Sequence, residues 1–292
     1  MEIETKVEER NMYKANMFLL KTIIWLMIVG FFTPQWALLP IGAFIPCAIY
    51  LYKNKERRRA ILSKFKLIDM KTYLILFLIW ISVLPTKLSV IFIFEKFCGS
   101  EMIEELMDFP IENMYVLIIS TVVFPALFEE LVMRGIVLDG YRDKSIHVAA
   151  FMNGLLFGMF HMNFFQFTHT FIAGIVMTYV VRITGSILSS MFIHFTNNGF
   201  PEVLNLLSEP STDEMDFNIS NNELLIYFIV STMGIFMAVK LMKYLSKKYK
   251  VDISFKNKEV FSKEKIINGP LITIGCIFFL MSMLIMSMYS GA

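Results

Sequence analysis

The sequence predicts an all-α protein that crosses a membrane several times, as a bundle of about eight or nine transmembrane helices. Of its 292 residues, 56% are hydrophobic and only 18% are charged, whereas soluble domains carry roughly a quarter charged residues. The apolar residues are grouped in blocks of about 20, the length that a helix needs to cross the hydrocarbon core. The blocks lack the alternation of β-strands, and in lipid only helices or closed barrels satisfy every backbone polar group.

Nine apolar blocks divide the chain. They cover residues 16–33, 36–52, 73–94, 114–138, 146–162, 164–182, 186–207, 224–243 and 267–289. Pro34 separates the first two, which are expected to form a tight hairpin or one re-entrant unit. We divide the chain into N-terminal membrane helices with a basic loop (1–112), a central membrane core (113–207) and C-terminal membrane helices (208–292).

The loop charges predict the orientation of these helices. Residues 53–71 hold eight Lys or Arg against two acids, and residues 243–265 hold eight against three. By contrast, residues 95–112 hold six acids and one Lys, and residues 208–223 hold five acids and no basic residue. Because basic loops stay in the cytoplasm, nine alternating crossings predict a protein of the cell membrane with a cytoplasmic N-terminus and an outside C-terminus.

The remaining composition favours neither nucleic-acid binding nor a metal-stabilised or disulfide-stabilised fold. The net charge of +2 implies nothing about nucleic acid. Cys47, Cys98 and Cys276 are scattered, with no CxxC pair, which argues against a disulfide framework and against a structural zinc site. The first apolar block is followed by Pro34 and not by a small-residue cleavage site, so no removable signal peptide is expected.

The fourth block contains charges where the bilayer is most apolar. Glu129, Glu130 and Arg134 lie within one and a half turns of each other, and a charge at mid-bilayer costs about 2.5–3.5 kcal/mol on insertion scales. Glu130 and Arg134 are four residues apart, acid first, which is the favoured order for a helical ion pair. Such a pair explains two of the charges and leaves Glu129 to project elsewhere, so we interpret Glu129 as functional.

All four histidines lie in later blocks, and two of them, His161 and His194, are the stronger candidates for a site. His161 shares a helical face with Phe157, Gly154 and Gly158, and glycines at this spacing let a second helix approach closely. His161 is therefore expected to point into the bundle. Each buried histidine alone is more often structural than catalytic, but two of them together with a surplus carboxylate favour a site.

The second of these histidines, His194, shares a face with Asn198. We expect the Gly-Phe-Pro segment 199–201 to disturb the helix just beyond this pair. His147 is interpreted as structural, His169 as structural or as a support of the site, and Lys87 as a side chain that can extend along the helix towards the membrane surface.

The four candidate residues have the chemistry that peptide hydrolysis needs. A carboxylate such as Glu129 in an apolar site can act as general base and then general acid, and His161 can share its proton. His194 and Asn198, one turn apart, can donate two hydrogen bonds to a developing oxyanion. Glu129, His161 and His194 could equally hold a metal ion, since two histidines and a glutamate form a known catalytic zinc set. We expect no cofactor to be required, with zinc as the alternative.

Helix depth sets a condition on this site. At 1.5 Å per residue, Glu129 and His194 lie about 12–14 Å from the predicted cytoplasmic ends of their helices, and His161 lies about 22 Å from its own. The fifth helix must therefore be tilted or displaced for the three side chains to meet.

These residues resemble a known family, the CAAX-protease and bacteriocin-processing (CPBP) intramembrane endopeptidases, also called the Abi family. The resemblance covers about residues 124–200. It is carried by three motifs in the order and spacing of the family: Glu129-Glu130-x-x-x-Arg134, Phe157-x-x-x-His161 and His194-x-x-x-Asn198.

The resemblance implies a helical bundle with a conical cavity open to the cytoplasmic leaflet and an endopeptidase activity on a membrane-associated protein or peptide. The implied roles are water activation by Glu129 with His161, an oxyanion site made of His194 and Asn198, and support from Glu130, Arg134 and Phe157.

Two other functions remain open from the sequence. A non-proteolytic partner protein, for bacteriocin immunity or regulation, would use the polar cluster only to hold the bundle together. A proton-coupled transporter ranks lower, because no internal repeat or paired broken helix is visible. In each case the lipid bilayer is a partner and nucleic acid is not.

Overall fold

A computed structural model describes residues 10–99, 111, 113–207, 220–254 and 264–289, and every structural statement below refers to these residues. They form ten helices and no β-strand, which confirms the predicted fold class. The helices are α1 (Asn11–Gly30), α2 (Gln35–Lys53), α3 (Lys55–Leu62), α4 (Met70–Cys98), α5 (Met114–Gly140), α6 (Ile146–Phe160), α7 (Phe164–Thr184), α8 (Ile187–Leu207), α9 (Asn221–Tyr249) and α10 (Gly269–Tyr289).

Each predicted apolar block forms a helix, and α3 is an additional short basic helix. Seven of the described helices are long and apolar enough to cross a membrane, namely α1, α2, α4, α5, α7, α9 and α10. The other two blocks form α6, which is apolar but shorter, and α8, which has 21 residues. A multi-pass helical membrane protein is therefore confirmed.

The basic loops meet at one face of the bundle. Asp69, just before α4, accepts two hydrogen bonds of 2.6 Å from Lys248 at the end of α9. The Lys248 ammonium, helped by the Thr72 hydroxyl, holds the pKa of the Asp69 carboxyl below its usual range. The backbone N–H of Ile187, at the start of α8, donates to the Lys64 carbonyl at 2.8 Å. Three separate loops are therefore connected by polar contacts.

Two more contacts add the ends of α5 and α6 to the same face. Asp139, at the end of α5, is almost fully buried and accepts hydrogen bonds of 2.7 and 2.5 Å from Arg57 of α3. Lys144, just before α6, donates to the carbonyl of Glu264, just before α10, at 2.8 Å. The helices thus run alternately towards and away from this basic face, as nine crossings require. Its cytoplasmic location stays a prediction.

Helices α6 and α7 pack with almost no side chain between them. A Cβ atom added at Gly154 would lie 2.8 Å from the carbonyl oxygen of Phe171, and one at Gly174 would lie 2.7 Å from the Cα of Gly154. At Gly158, an added Cβ would lie 3.0 Å from the carbonyl oxygen of Phe167. The close approach predicted for the glycine face of α6 is therefore present, and α7 is the helix that approaches.

Two local features differ from the sequence interpretation. The expected disturbance after His194 is wrong, because α8 continues through Pro201 to Leu207; neighbouring helices and local adjustment make proline tolerable in membrane helices. In addition, most of α5 is wound as π-helix, over Ile119–Val123, Pro125–Glu129 and Leu131–Val137. Such turns use i→i+5 hydrogen bonds and occur often at functional sites.

We expect Gly154→Ala to lower the free energy of unfolding by about 1–3 kcal/mol, because the added methyl group would press on the backbone of α7 and overpack the interface. Unfolding of the purified protein in detergent, followed by circular dichroism, measures the change. Gly275→Ala in α10 is the matched control, since a Cβ there would meet no atom of a neighbouring helix within 4 Å; we expect no loss of stability and a gain of at most about 1 kcal/mol, because alanine has the higher helix propensity. Equal effects of both variants would contradict the packing argument.

Candidate active site

A carboxylate and two imidazoles from three elements converge inside the bundle. The Oε2 atom of Glu129 lies 3.9 Å from Nε2 of His161 and 3.9 Å from Nε2 of His194. Glu129 belongs to α5, His161 follows the last residue of α6, and His194 belongs to α8. Glu129 and His194 are 8% and 5% exposed. The three side chains therefore meet, despite the different depths estimated from the sequence.

A buried ion pair holds one of these imidazoles in place. Arg134 donates a hydrogen bond of 2.8 Å to Oε1 of Glu130, and Nδ1 of His194 lies 2.9 Å from the same oxygen. Glu130 and Arg134 are fully buried, and the guanidinium carbon lies 4.4 Å from the ring centroid of Phe157. The predicted pairing of residues 130 and 134 is present, and Glu130 also binds the active-site histidine.

The hydrogen bonds of the two imidazoles determine which nitrogen faces Glu129. Nδ1 of His161 lies 2.9 Å from the carbonyl oxygen of Phe157, which can only accept, so this nitrogen carries a proton. Nδ1 of His194 is protonated for the same reason, because it faces the Glu130 carboxylate. In their neutral forms both histidines therefore present an unprotonated Nε2 to Glu129.

Three hydrogen-bond acceptors thus surround one small space. The Oε2 atom of Glu129 is buried and makes no hydrogen bond within the described part of the chain. A separation of 3.9 Å is too long for a direct hydrogen bond but allows a water molecule to donate to two of these atoms. The geometry is therefore suited to holding a water molecule or a shared proton.

The charges of these buried side chains also favour a shared proton at this position. Two ionised carboxylates, Glu129 and Glu130, and one guanidinium, Arg134, would leave one uncompensated negative charge. Buried charges are stable only when paired, and a proton shared between Glu129 and one of the two imidazoles would supply the missing positive charge.

Asn198 lies one helical turn after His194 and is also part of this region. Its Nδ2 donates to the carbonyl oxygen of Thr121 in α5 at 3.0 Å, and its Oδ1 accepts from Asn197 at 3.1 Å. A side-chain amide has two N–H groups, and the contact with Thr121 uses one of them. The amide is thereby held between α8 and α5 with a second donor left for a ligand.

The three converging side chains lie further apart than the ligands of a tetrahedral zinc site. Their donor types are those of a catalytic zinc set, but neighbouring ligand atoms in a tetrahedral site with bonds of about 2.0–2.2 Å are roughly 3.3–3.5 Å apart. Here the carboxylate oxygen is 3.9 Å from each nitrogen. Among the residues that the structure describes, no three His, Cys, Asp or Glu side chains form a group that could hold a metal ion.

The sequence interpretation did not connect Lys87 with this region. Its Nζ lies 3.5 Å from Oδ1 of Asn197, so the side chain is directed towards α8. The position of Lys87 in the middle of the apolar α4 is the sequence feature that indicates a role inside the bundle. The remaining histidines lie elsewhere, with Nδ1 of His147 2.6 Å from the hydroxyl of Tyr179 and the ring of His169 against that of Phe165.

The fold and the site define a class: a multi-pass helical membrane protein with a glutamate and two histidines converging inside its bundle. Residues 111–200 match the family model described as type II CAAX prenyl endopeptidase Rce1-like. This match confirms the resemblance to the CPBP family and supports an intramembrane protease. The matched range contains all four candidate catalytic residues and covers less than half of the chain. Neither a curated protein nor a solved structure matches the chain.

We expect Arg134→Met to destabilise the protein by about 3–5 kcal/mol, because it leaves the Glu130 carboxylate buried without its cation. The double variant Glu130→Gln/Arg134→Met removes both charges and should recover part of this loss. Unfolding in detergent measures both effects. Lys248→Met, which breaks a surface ion pair, is the control and should cost far less. A double variant as unstable as the single one would show that charge burial is not the cause.

Proposed function

We propose that this protein is an intramembrane endopeptidase that hydrolyses a peptide bond of a membrane-associated protein or peptide, with Glu129 as the general base. The observation that carries the proposal is the convergence of Glu129 with the Nε2 atoms of His161 and His194, each 3.9 Å from the carboxylate. The match of residues 111–200 to the Rce1-like endopeptidase model supports it independently.

In the first step, ionised Glu129 takes a proton from a water molecule while the water oxygen attacks the carbonyl carbon of the substrate. His161 orients this water through its unprotonated Nε2, a role that its hydrogen bond to the Phe157 carbonyl supports. The carbonyl π electrons move to the oxygen and form a tetrahedral oxyanion. General base catalysis of this kind typically contributes about 10²–10⁴ in rate.

His194 and Asn198 stabilise the oxyanion. When the additional proton of the cluster resides on His194, its Nδ1 donates to Glu130 and its Nε2 becomes a donor to the oxyanion. Asn198 supplies a second N–H, since Thr121 uses only one. In the second step the intermediate collapses, the C–N bond breaks, and Glu129 returns its proton to the leaving amine. The direct products are a carboxylic acid, which keeps the second proton of the water and releases it to solvent to become a carboxylate, and an amine; the site is then restored.

Glu130, Arg134 and Phe157 act by positioning and not by contact with the substrate. Glu130 orients the His194 ring through its contact with Nδ1, Arg134 pairs with Glu130, and the Phe157 ring packs edge-on against both histidines, with centroids 5.0 and 5.9 Å away. In a low-dielectric bundle such preorganised charges are worth more than in water.

The description of the matched family supports one substrate class. A CAAX prenyl endopeptidase acts on chains that end in a C-a-a-X motif with a lipidated cysteine. A prenyl group holds the substrate in the bilayer, where a site between membrane helices can be reached. We therefore propose a lipid-modified C-terminal peptide as the substrate.

We expect Glu129→Gln to reduce cleavage by at least about 10²-fold, because the amide cannot accept the proton of water. The protein should still insert and unfold like the wild type, since the change keeps the side-chain shape. Comparative peptidomics of cells carrying each form reads out the loss and identifies the substrate. Glu56→Gln, the same change at an exposed position of α3, is the control. Full activity of Glu129→Gln would exclude the proposal.

We further propose that no metal ion is required, which the spacing of the three side chains supports. Treatment of the purified protein with 1,10-phenanthroline should then leave the cleavage rate unchanged, and elemental analysis should find no stoichiometric zinc. Loss of activity that added zinc restores would favour the alternative in which Glu129, His161 and His194 bind the ion.

A further inference from the structure

A lysine inside the bundle extends the polar region of the active site. Lys87 lies in the middle of α4, is only partly exposed, and donates to Oδ1 of Asn197 at 3.5 Å. Within the described part of the chain, no carboxylate forms an ion pair with it. Inside an apolar bundle, a neutral amide at this long hydrogen-bond distance is a poor partner for an ammonium group.

A cation at this depth is costly without a negative partner. Charged residues inside membrane bundles almost always face a cavity or pair with an opposite charge, and they usually mark a substrate or ion pathway. Lys87 could have extended along α4 towards the membrane surface, but its stem instead directs the ammonium to α8. This direction indicates that the positive charge is used inside the bundle.

One contact connects Lys87 to the site. Along α8, Asn197 bonds both Lys87 and Asn198. Asn197 is three residues after His194, an axial distance of about 4.5 Å. Adding the length of the side chains, the ammonium lies on the order of 10 Å from the imidazole of His194.

We propose that Lys87, held by Asn197, binds the C-terminal carboxylate of the substrate. This inference rests on the proposed function. Three residues follow the lipidated cysteine in a C-a-a-X motif, and an extended chain spans at most about 3.3–3.6 Å per residue. A peptide cut directly after the cysteine therefore places its terminal carboxylate roughly 10 Å from the attacked carbonyl. This length is of the same order as the separation between Lys87 and His194.

The proposal explains how the enzyme would select chain ends. A carboxylate that pairs with an ammonium in a partly desolvated site gains a charge-assisted hydrogen bond, while a substrate without it leaves the charge unpaired. Lys87 is then a specificity-determining residue that acts in binding, and it takes no part in the proton transfers at Glu129.

The experiment compares two internally quenched peptides with an S-farnesyl cysteine followed by three residues, one a free acid and the other a C-terminal amide. Purified wild type, Lys87→Met, Lys87→Arg and Lys21→Met are assayed in liposomes. We expect the wild type to prefer the acid by about 10–100-fold in kcat/KM. In Lys87→Met this preference should disappear through a higher KM for the acid, with cleavage of the amide unchanged.

Lys87→Arg should keep most of the preference, and Lys21→Met, which removes an exposed lysine from α1, should keep all of it. Unchanged amide cleavage shows that Lys87→Met is folded. Equal cleavage of acid and amide by the wild type, or an equal loss on both peptides in Lys87→Met, would overturn the role of Lys87 alone. If the wild type cleaves neither peptide, the proposed substrate class fails and this inference fails with it.

Discussion

The buried ion pair between Glu130 and Arg134 is the interaction on which the site depends. In lipid neither charge can be exposed to water, so each must be compensated within the bundle, and the i,i+4 spacing on α5 supplies the partner. The same carboxylate oxygen also binds Nδ1 of His194. This pair of opposite charges therefore compensates itself within α5 and determines which nitrogen of His194 carries the proton. Glu129 is the second carboxylate of the cluster and is not used in the pair.

The close packing of the α6 and α7 backbones positions the imidazole of His161. Gly154, Gly158 and Gly174 let α6 and α7 approach until their backbones touch, and the chain turns directly after Phe160. His161 lies in that turn, where its Nδ1 binds the carbonyl of Phe157. Because a carbonyl oxygen can only accept a hydrogen bond, Nδ1 of His161 must carry the proton. The packing of α6 against α7 therefore determines that His161 presents Nε2 to Glu129.

The candidate site was largely predictable from residue types and spacing, and its surroundings were not. Glu129, His161 and His194 are identifiable because ionisable groups in apolar blocks are rare and expensive. Lys87 belongs to the same category, yet a lysine stem is long enough to reach either the membrane surface or the bundle interior. The choice depends on Asn197, which is far away in the sequence. The π-helical winding of α5 and the uninterrupted α8 likewise depend on neighbours that compensate for altered backbone hydrogen bonds.

The sequence by itself determined the class of fold, the number of apolar segments and the identity of the ionisable residues in the membrane core. It could do so because the free energy of placing a residue in lipid depends mainly on that residue and its immediate neighbours. The tertiary structure decided which nitrogen of each histidine faces Glu129, how α6 meets α7 and where the charge of Lys87 is directed. These properties arise from contacts between helices that are distant in sequence, and pattern and spacing along one chain do not specify such contacts.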